Sequence, residues 1–298
     1  MSTPRPSPAD LRAQLSKDGF AILKSVFPTH RLDALRAAAT HTACDARTGL
    51  WPHVRVLGRQ FPPWDPAEAL ERGIWGVQHL LHPDLSDSPE FAKAYFSDEI
   101  LGAAKDLLEC GDDELVMELF NMLVRPEANY ELRWHRDDVP WEASAEEEER
   151  RLGEPAWHAQ YNLALYPDTS LVVVPGSHRR ARTETERAAA PYEPNLPGQL
   201  VVKLEPGDVV FYDNNILHRG VYDAMMERMT LHGSVGHIRG EKARARNVLQ
   251  HGVGEWVSRC KFEGLEESER RRAEGMRERL IAMGKATEGE NLGYSLDG

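Results

Sequence analysis

Short β-like runs separated by turn residues fill the middle of the chain, and this pattern constrains the fold more than any other feature. Closely spaced strands joined by Pro, Gly and Asp turns are typical of antiparallel sandwiches and barrels. The runs are Leu115–Val124, Leu132–Asp137, His158–Tyr166, Leu171–Val174, Gln199–Lys203, Asp208–Phe211 and Met229–Gly236. The sequence therefore predicts a mainly β core between about residues 111 and 240.

Helical patterns flank this core on both sides. Ser7 and Pro8 are typical of a helix start, and this first helix is expected to end near Gly19. The charged segment Leu265–Lys285 predicts another helix, with Gly275 interrupting its pattern. We expect a single domain made of a helical part at 1–110, the β-core at 111–240 and a helical extension at 241–298.

Composition and charge exclude several classes of partner. The formal net charge of -12 argues against nucleic acids and anionic membranes, which bind basic surfaces. No stretch is long and apolar enough to span a bilayer, and the first ten residues lack the apolar core of a secretion signal. Three widely spaced cysteines fit free thiols in a reducing compartment. We expect a soluble cytoplasmic protein, whose oligomeric state stays open.

His135 and Asp137 form the first candidate site. They stand two positions apart, so their side chains leave the same face of an extended chain. An imidazole and a carboxylate on one face are two of the three ligands of a 2-His-1-carboxylate iron site. Such a pair can arise by chance in a chain with 12 histidines. The hypothesis therefore depends on a third ligand.

His218 and Arg228 complete the candidate set. His218 follows the turn Pro206–Asp208 and the apolar run Val209–Phe211, so a later strand can return beside the first pair. Arg228 opens the next β-like run. An arginine can hold a carboxylate through two parallel hydrogen bonds. These two residues add a third metal ligand and an anchor for a carboxylate.

The chain resembles the phytanoyl-CoA dioxygenase-like family of Fe(II)- and 2-oxoglutarate-dependent oxygenases over roughly residues 10–240. Any one shared motif is weak alone, but the set is specific. The motifs stand in the family's order: Asp18-Gly19-Phe20, His135-Arg136-Asp137, Val174-Pro175-Gly176-Ser177-His178, Pro206-Gly207-Asp208, His218 and Arg228. The resemblance implies a double-stranded β-helix, or jelly roll, with the metal at one open end.

The resemblance also implies roles for individual residues. Arg228 would hold the distal carboxylate of 2-oxoglutarate, and Asn162 and Gln160 are candidate cosubstrate contacts. Gly220 departs from the pattern, because some relatives have a serine there that helps to bind 2-oxoglutarate. The turn before Leu171 also lacks the usual Asn-Gly. The implied iron ligands are His135, Asp137 and His218.

Asp137 bears on the reaction that the resemblance implies. Related halogenases have a small residue at this position, which opens a site for halide, so Asp137 favours hydroxylation or another C–H oxidation. With 2-oxoglutarate and O2 as cosubstrates, the implied enzyme oxidises a C–H bond of a small organic metabolite and releases succinate and CO2. No cluster of Lys and Arg marks a site for coenzyme A, which favours a substrate without it.

Two other functional classes stay open at this point. One is a non-catalytic jelly roll that binds a metal or ligand, and the other is a cupin-like metal enzyme that does not use 2-oxoglutarate. The acidic run Glu142–Glu154 is either a solvated helix or loop, or a lid over the site. His178 is expected to brace a turn, and His232 and His237 are expected in structural or exposed positions.

Overall fold

The computed structural model of the chain describes residues 5–155, 157–240, 242–250 and 252–286. The predicted domain limits at residues 1 and 298, and the start of the extension at residue 241, lie outside the described residues. Of the residues that the structure describes, helix accounts for 38% and strand for 20%. The protein is therefore a mixed α and β fold with mostly antiparallel sheets. The expectation of a mainly β fold with flanking helices is confirmed only in part: the sheets are antiparallel and helices flank them, but helix exceeds strand.

Helices precede, interrupt and follow the β-core. The side chain of Ser7 accepts a hydrogen bond from the main-chain N–H of Asp10, and Gly19 ends the first helix with a φ of 80° that glycine adopts without strain. Within the described ranges, no helix has both the length and the apolar character needed to cross a bilayer. The α-helices are α1 (Pro8–Asp18), α2 (Thr29–Thr48), α3 (Pro66–Arg72), α4 (Ser88–Tyr95), α5 (Asp98–Leu108), α6 (Ala145–Leu152), α7 (Glu184–Ala188), α8 (Lys242–Gln250) and α9 (Glu267–Lys285).

The strands form two antiparallel sheets. They are β1 (Phe20–Leu23), β2 (Val54–Val56), β3 (Ile74–Val77), β4 (Leu115–Val124), β5 (Tyr130–Glu131), β6 (His158–Ala164), β7 (Leu171–Val173), β8 (Leu200–Val201), β9 (Val209–Tyr212), β10 (His218–Tyr222) and β11 (Met229–His237). The larger sheet has the order β1-β9-β6-β11-β4-β3-β2, and the smaller sheet has the order β5-β10-β7-β8. The β-runs of the sequence thus predicted most of the strands.

Strand β6 shows how the larger sheet serves two cores. Its residues Tyr161 and Leu163 belong to the apolar cluster that includes the helices, whereas Ala164 packs with Leu171 and Val173 of the smaller sheet. Helices α2, α5 and α9 contact strands β3, β6 and β4 of the larger sheet. Helices, larger sheet and smaller sheet therefore form successive layers. Because side chains alternate along a strand, Gln160 shares the face of Ala164, which is turned toward the smaller sheet.

Candidate metal centre

The segment that carries the first two candidate ligands is not the strand that the sequence predicts. The smaller sheet includes only β5 at this point, and the predicted run Leu132–Asp137 continues with irregular structure. Its main chain pairs with separate partners in turn. The N–H of Trp134 donates to the carbonyl of Pro191 at 2.8 Å, and that of Asp137 donates to the carbonyl of Asn214 at 3.0 Å. These different partners explain why no continuous ladder forms.

Main-chain pairing brings the two histidines together. His135 and His218 form an isolated antiparallel bridge, in which the N–H of each donates to the carbonyl of the other at 3.0 Å. Their ring centroids are 4.2 Å apart. Because β10 begins at His218 and pairs with β7, the bridge adds His135 to the end of the smaller sheet.

The carboxylate of Asp137 lies between the two imidazoles. Its Oδ1 atom is 3.6 Å from Nε2 of His135 and 3.7 Å from Nε2 of His218. Among the residues that the structure describes, these three form the group of potential ligands whose donor atoms all lie within 4.8 Å of one another. Two imidazole nitrogens and one carboxylate oxygen are the donor set of a 2-His-1-carboxylate site.

Hydrogen bonds orient both imidazoles. Nδ1 of His135 donates to the carbonyl of Arg133, and Nδ1 of His218 donates to the carbonyl of Ile216, each at 2.8 Å. Because a carbonyl only accepts, the proton of each neutral ring lies on Nδ1 and the lone pair on Nε2. Burial and the neighbouring His218 lower the pKa of His135 to about 4. The ring is therefore in the neutral form that binds metals.

Gln160 contacts the carboxylate of Asp137. Its Nε2 atom donates to Oδ2 of Asp137 at 3.0 Å, which leaves Oδ1 facing the histidines. Burial opposes ionisation of this carboxyl, but the two imidazoles and the Gln160 amide hold the pKa of Asp137 below its usual value. The sequence predicted Gln160 as a cosubstrate contact, whereas the structure places its amide on Asp137.

Asn162 stands two residues further along β6 and contacts a histidine. Its Oδ1 atom is 2.8 Å from Nδ1 of His232, the residue that faces it across the β6–β11 pair. Burial, with a further contribution from Arg55, lowers the pKa of His232 to about 3. His232 was expected in a structural or exposed position. It has a structural position, since its neutral ring contacts Asn162 near the metal centre.

Arg228 is a buried cation at the start of β11. The residue is 6% exposed. Its Nε atom donates to Oδ2 of Asp168 at 3.2 Å, and its Cζ atom lies 4.4 Å from the ring centre of Tyr222. Its Nη1 atom has no hydrogen-bond partner among the described residues. A buried guanidinium with an unused donor is suited to bind an anion.

Arg55 is a second arginine beside this site; the residue is half-buried, and the sequence did not reveal it. Its guanidinium lies 5.0 Å from the ring centre of Trp75, and its Nε atom is another buried donor without a partner in the described chain. Burial lowers the pKa of Arg55, while the nearby Tyr222 and Asp137 oppose this shift. No local pattern marks Arg55, because its contacts depend on the packing of distant strands.

A cavity of about 750 Å³ opens on the other side of the triad. It reaches His135 and Asp137, but Arg55 and Arg228 are not part of its lining. Loops supply much of the wall, and helices α8 and α9 supply Arg244, Ala245 and Met283. Aromatic and acidic residues of the wall include Phe61, Trp141, Trp157, Glu142, Glu154, Asp138 and Asp213.

The acidic run after the metal residues forms α6 and borders this cavity. Glu148 of α6 is 1% exposed and accepts hydrogen bonds from the main-chain N–H of Arg182 at 2.7 Å and from Nη2 of Arg187 at 2.6 Å. The run is thus a helix that is fixed to the segment around α7 by a buried ion-pair cluster. The run therefore matches neither prediction fully: it is not simply solvated, and it is not a loosely attached lid.

The two remaining histidines also line the cavity. Nε2 of His178 is 3.2 Å from the carbonyl of Ser16, so His178 braces its turn against α1, as expected. The ring of His237 stacks on Trp157 with 5.1 Å between centroids. Neither belongs to the group of potential metal ligands.

The sequence matches a known family over most of its length. Residues 15–221 match the profile of the family described as phytanoyl-CoA dioxygenase (PhyH). The chain belongs to this family. The predicted resemblance is thereby confirmed. No curated protein matches the sequence closely enough to count as a relative.

Solved structures with the same fold support this assignment. AviO1 from Streptomyces viridochromogenes Tue57 is 18% identical, with a TM-score of 0.56 over 78% of this chain and 96% of that one. EctD from S. alaskensis with 2-oxoglutarate and 5-hydroxyectoine is 20% identical, with a TM-score of 0.57 over 80% of each chain. HygX from Streptomyces hygroscopicus with nickel and 2-oxoglutarate is 14% identical, with a TM-score of 0.53 over 76% and 86%. At these identities the similarity establishes the fold.

Proposed function

We propose that the protein is an Fe(II)- and 2-oxoglutarate-dependent dioxygenase that hydroxylates a C–H bond of a small organic metabolite, with release of succinate and CO2. The observation that carries this proposal is the group His135, Asp137 and His218 beside the buried, incompletely paired Arg228. Related folds with iron or nickel and 2-oxoglutarate support it. We take the two packed sheets as the jelly roll of one oxygenase domain.

The donor set fits ferrous iron. Two neutral imidazoles and a carboxylate match the three protein ligands of non-haem Fe(II) oxygenases, and this set leaves further positions for cosubstrates. We assign Nε2 of His135, Nε2 of His218 and a carboxylate oxygen of Asp137 as the ligands. Gln160 then acts on the metal site through Asp137, since its amide orients that carboxylate.

The two arginines fit the dianionic cosubstrate. Arg228 would bind the distal carboxylate of 2-oxoglutarate through its unpaired Nη1, and Arg55 would add a second positive charge. Asp168 fixes the direction of the Arg228 guanidinium through Nε. Asn162 acts from the same side through His232, whose Nδ1 lies 2.8 Å from the amide oxygen of Asn162. Gly220 leaves β10 without the side chain that some relatives use.

The reaction follows from this arrangement. Iron with 2-oxoglutarate and O2 supplies an oxidant that removes hydrogen from an unactivated C–H bond. The protein orients the cosubstrate with Arg228, holds the metal with the triad and excludes water with the aromatic wall of the cavity. Asp137 occupies the ligand position that a halogenase leaves open, which supports hydroxylation.

Succinate formation from 2-oxoglutarate tests the proposal. Purified protein with Fe(II), O2 and 2-oxoglutarate should form succinate, at least at the slow rate of uncoupled turnover. His135→Ala should abolish it, whereas His30→Ala, which removes an exposed histidine of α2, should not. A protein that binds metal but neither binds nor consumes 2-oxoglutarate would instead be a cupin-like metal enzyme or a non-catalytic binding protein.

A further inference from the structure

Two carboxylates line the cavity next to the metal ligands and lack a cationic partner. Asp138 follows Asp137 in the chain, and Asp213 lies in the loop between β9 and β10. Across the described residues, no Lys, Arg or His nitrogen lies within 4.0 Å of either carboxylate, although many other acidic groups of the protein have one. Their polar contacts are neutral: Asn214 Nδ2 donates to Asp138, and the N–H of Asn215 donates to Asp213 at 2.8 Å.

Asn214 provides an independent sign that a ligand binds here. It is 1% exposed and lines the cavity, and its Oδ1 atom has no hydrogen-bond partner within the described chain. Leaving a buried acceptor unpaired is unfavourable, so a native site of this kind calls for a donor. Nε2 of His158 is a second buried atom in the same wall without a partner.

Among the described residues, no arginine of the cavity wall forms an ion pair with these carboxylates, although the charge of Asp138 acts on Arg244. Arg244 forms two hydrogen bonds with Glu118, at 2.8 and 2.9 Å. Arg150 and Arg151 both pair with Glu147. The terminal nitrogens of Arg136 donate to the carbonyls of Ser177, Asn215 and Arg180. Among the lining arginines that the structure describes, only the Arg133 side chain has no acidic or carbonyl partner. It lies over the ring of Phe61.

We propose that the substrate carries a protonated amine, which binds in the cavity to the carboxylates of Asp138 and Asp213 and to the amide oxygen of Asn214. An ammonium group has three N–H donors and no acceptor, which matches three acceptors without cationic partners. This inference rests on the proposed function, because the cavity is a substrate site only if the triad holds the catalytic metal.

The charge of the loaded metal centre strengthens this preference. Fe(II) with one aspartate and dianionic 2-oxoglutarate would carry about one net negative charge, which Arg228 and Arg55 offset on the cosubstrate side, whereas no ion pair offsets Asp138 and Asp213 on the cavity side. A cationic substrate group offsets this repulsion, whereas an anionic group increases it. Hydrogen bonds to charged groups contribute about 1.5–3 kcal/mol, which corresponds to roughly ten-fold or more in affinity.

Cyclohexylamine, cyclohexanol and cyclohexanecarboxylate provide a direct test, because they share one ring and differ in charge. Their affinities are measured by calorimetry on protein loaded with Ni(II) and 2-oxoglutarate, at a pH where the amine is protonated. Cyclohexylamine should bind about ten-fold more tightly than cyclohexanol, and the carboxylate should bind most weakly. Failure of the amine to bind, or affinity no better than that of the alcohol, overturns the proposal.

Variants assign the preference to these residues. Asp138→Asn and Asp213→Asn should each lower the affinity for cyclohexylamine about ten-fold and leave that for cyclohexanol unchanged. Glu142→Gln is the matched control, because Glu142 lines the same cavity but is exposed to solvent that screens its charge. A preference for the amine that survives both aspartate substitutions contradicts the assignment.

The same samples separate this inference from the proposed function. The affinity for 2-oxoglutarate and the thermal unfolding midpoint are measured for each variant before the ring compounds are added. Retained 2-oxoglutarate binding with no preference for the amine overturns only the substrate class. Loss of 2-oxoglutarate binding in the wild-type protein overturns the proposed function.

Discussion

The two sides of the metal triad differ in charge and in the elements that build them. On one side, the buried Arg228 immediately precedes β11 and the half-buried Arg55 lies on β2, and each has a nitrogen donor without a partner in the described chain. On the other side, Asp138 and Asp213 are carried by loops that line an open cavity. The first side is suited to a small anion, and the second is suited to a cation. Asp137 forms the boundary between them.

The two sides also differ in the structural elements that position their residues. Residues on paired strands are positioned by register, so the arginine side is held by the sheet itself. The cavity side depends on loops, on α6 and on the helices α8 and α9. The family match ends at residue 221, before both of these last helices, although Arg244 and Met283 help to form the cavity wall.

The largest effect is expected at the boundary residue. Asp137→Ala removes one of three ligands and should lower Ni(II) affinity by more than about a thousand-fold, or about 4 kcal/mol. Asp138→Asn, one residue further on, should change it by less than about three-fold. Calorimetry of the metal-free proteins measures both. Equal losses in the two variants would show that the acidic side also binds the metal.

The next effect concerns the stability of the cavity wall. Burial opposes ionisation of Glu118, but Arg244 holds its pKa below the usual value. This ion pair therefore stabilises the fold at neutral pH, and the contribution is lost as pH falls through the depressed pKa. Glu118→Gln should cost about 3 kcal/mol in free energy of unfolding at neutral pH, because Arg244 stays buried without a counter-charge.

Urea unfolding of this variant at several pH values tests the sign. The difference from wild type should shrink as the solution becomes acidic. Glu99→Gln, which removes the exposed partner of Arg31, should cost less than about 1 kcal/mol. A difference for Glu118→Gln that grows toward low pH is incompatible with the assigned ion pair.

On the arginine side, Arg228→Lys keeps the positive charge but loses the fork of donors. It should raise the dissociation constant for 2-oxoglutarate about 30-fold, or about 2 kcal/mol, without changing metal affinity. Arg125→Lys is the control. Arg125 directly follows β4, the neighbour of β11 in the larger sheet, but its side chain pairs with the exposed Glu227. Unchanged binding of 2-oxoglutarate by the Arg228 variant would assign the cosubstrate to another site.

The smallest effect is expected for Arg55. Arg55→Gln should weaken 2-oxoglutarate binding about five-fold, or roughly 1 kcal/mol, because a second positive charge is lost near the dianion. Binding of cyclohexylamine should not weaken, since Arg55 is not part of the cavity lining. If the amine affinity falls instead, the two sides are not independent.

Much of the site could be predicted because its residues lie in local motifs. The spacing of His135 and Asp137, the later His218 and the arginine that opens β11 predicted a group that the fold then brings together. The strand pattern also predicted β4, β6, β9 and β11 closely. These features depend on short-range periodicity and turn chemistry, which a single sequence carries.

Other features could not be read from the sequence, because they depend on contacts between distant segments. Arg55 reaches the ring of Trp75 only after β2 joins the edge of the larger sheet beside β3. The amide of Gln160 turns to Asp137, a contact that no local pattern encodes. The predicted strand Leu132–Asp137, which carries two of the metal residues, does not form because its main chain hydrogen-bonds to three separate segments. The predicted run Gln199–Lys203 forms only the two-residue strand β8.

A crystal structure of the protein with Ni(II) and 2-oxoglutarate tests the central claim most directly. The account predicts the metal on His135, Asp137 and His218, with the distal carboxylate of 2-oxoglutarate bound to Arg228. It also predicts that the cavity beside Asp138 and Asp213 stays free for a substrate. A metal held by other residues, or 2-oxoglutarate bound in the acidic cavity, would contradict the division of the site into an anionic cosubstrate side and a cationic substrate side.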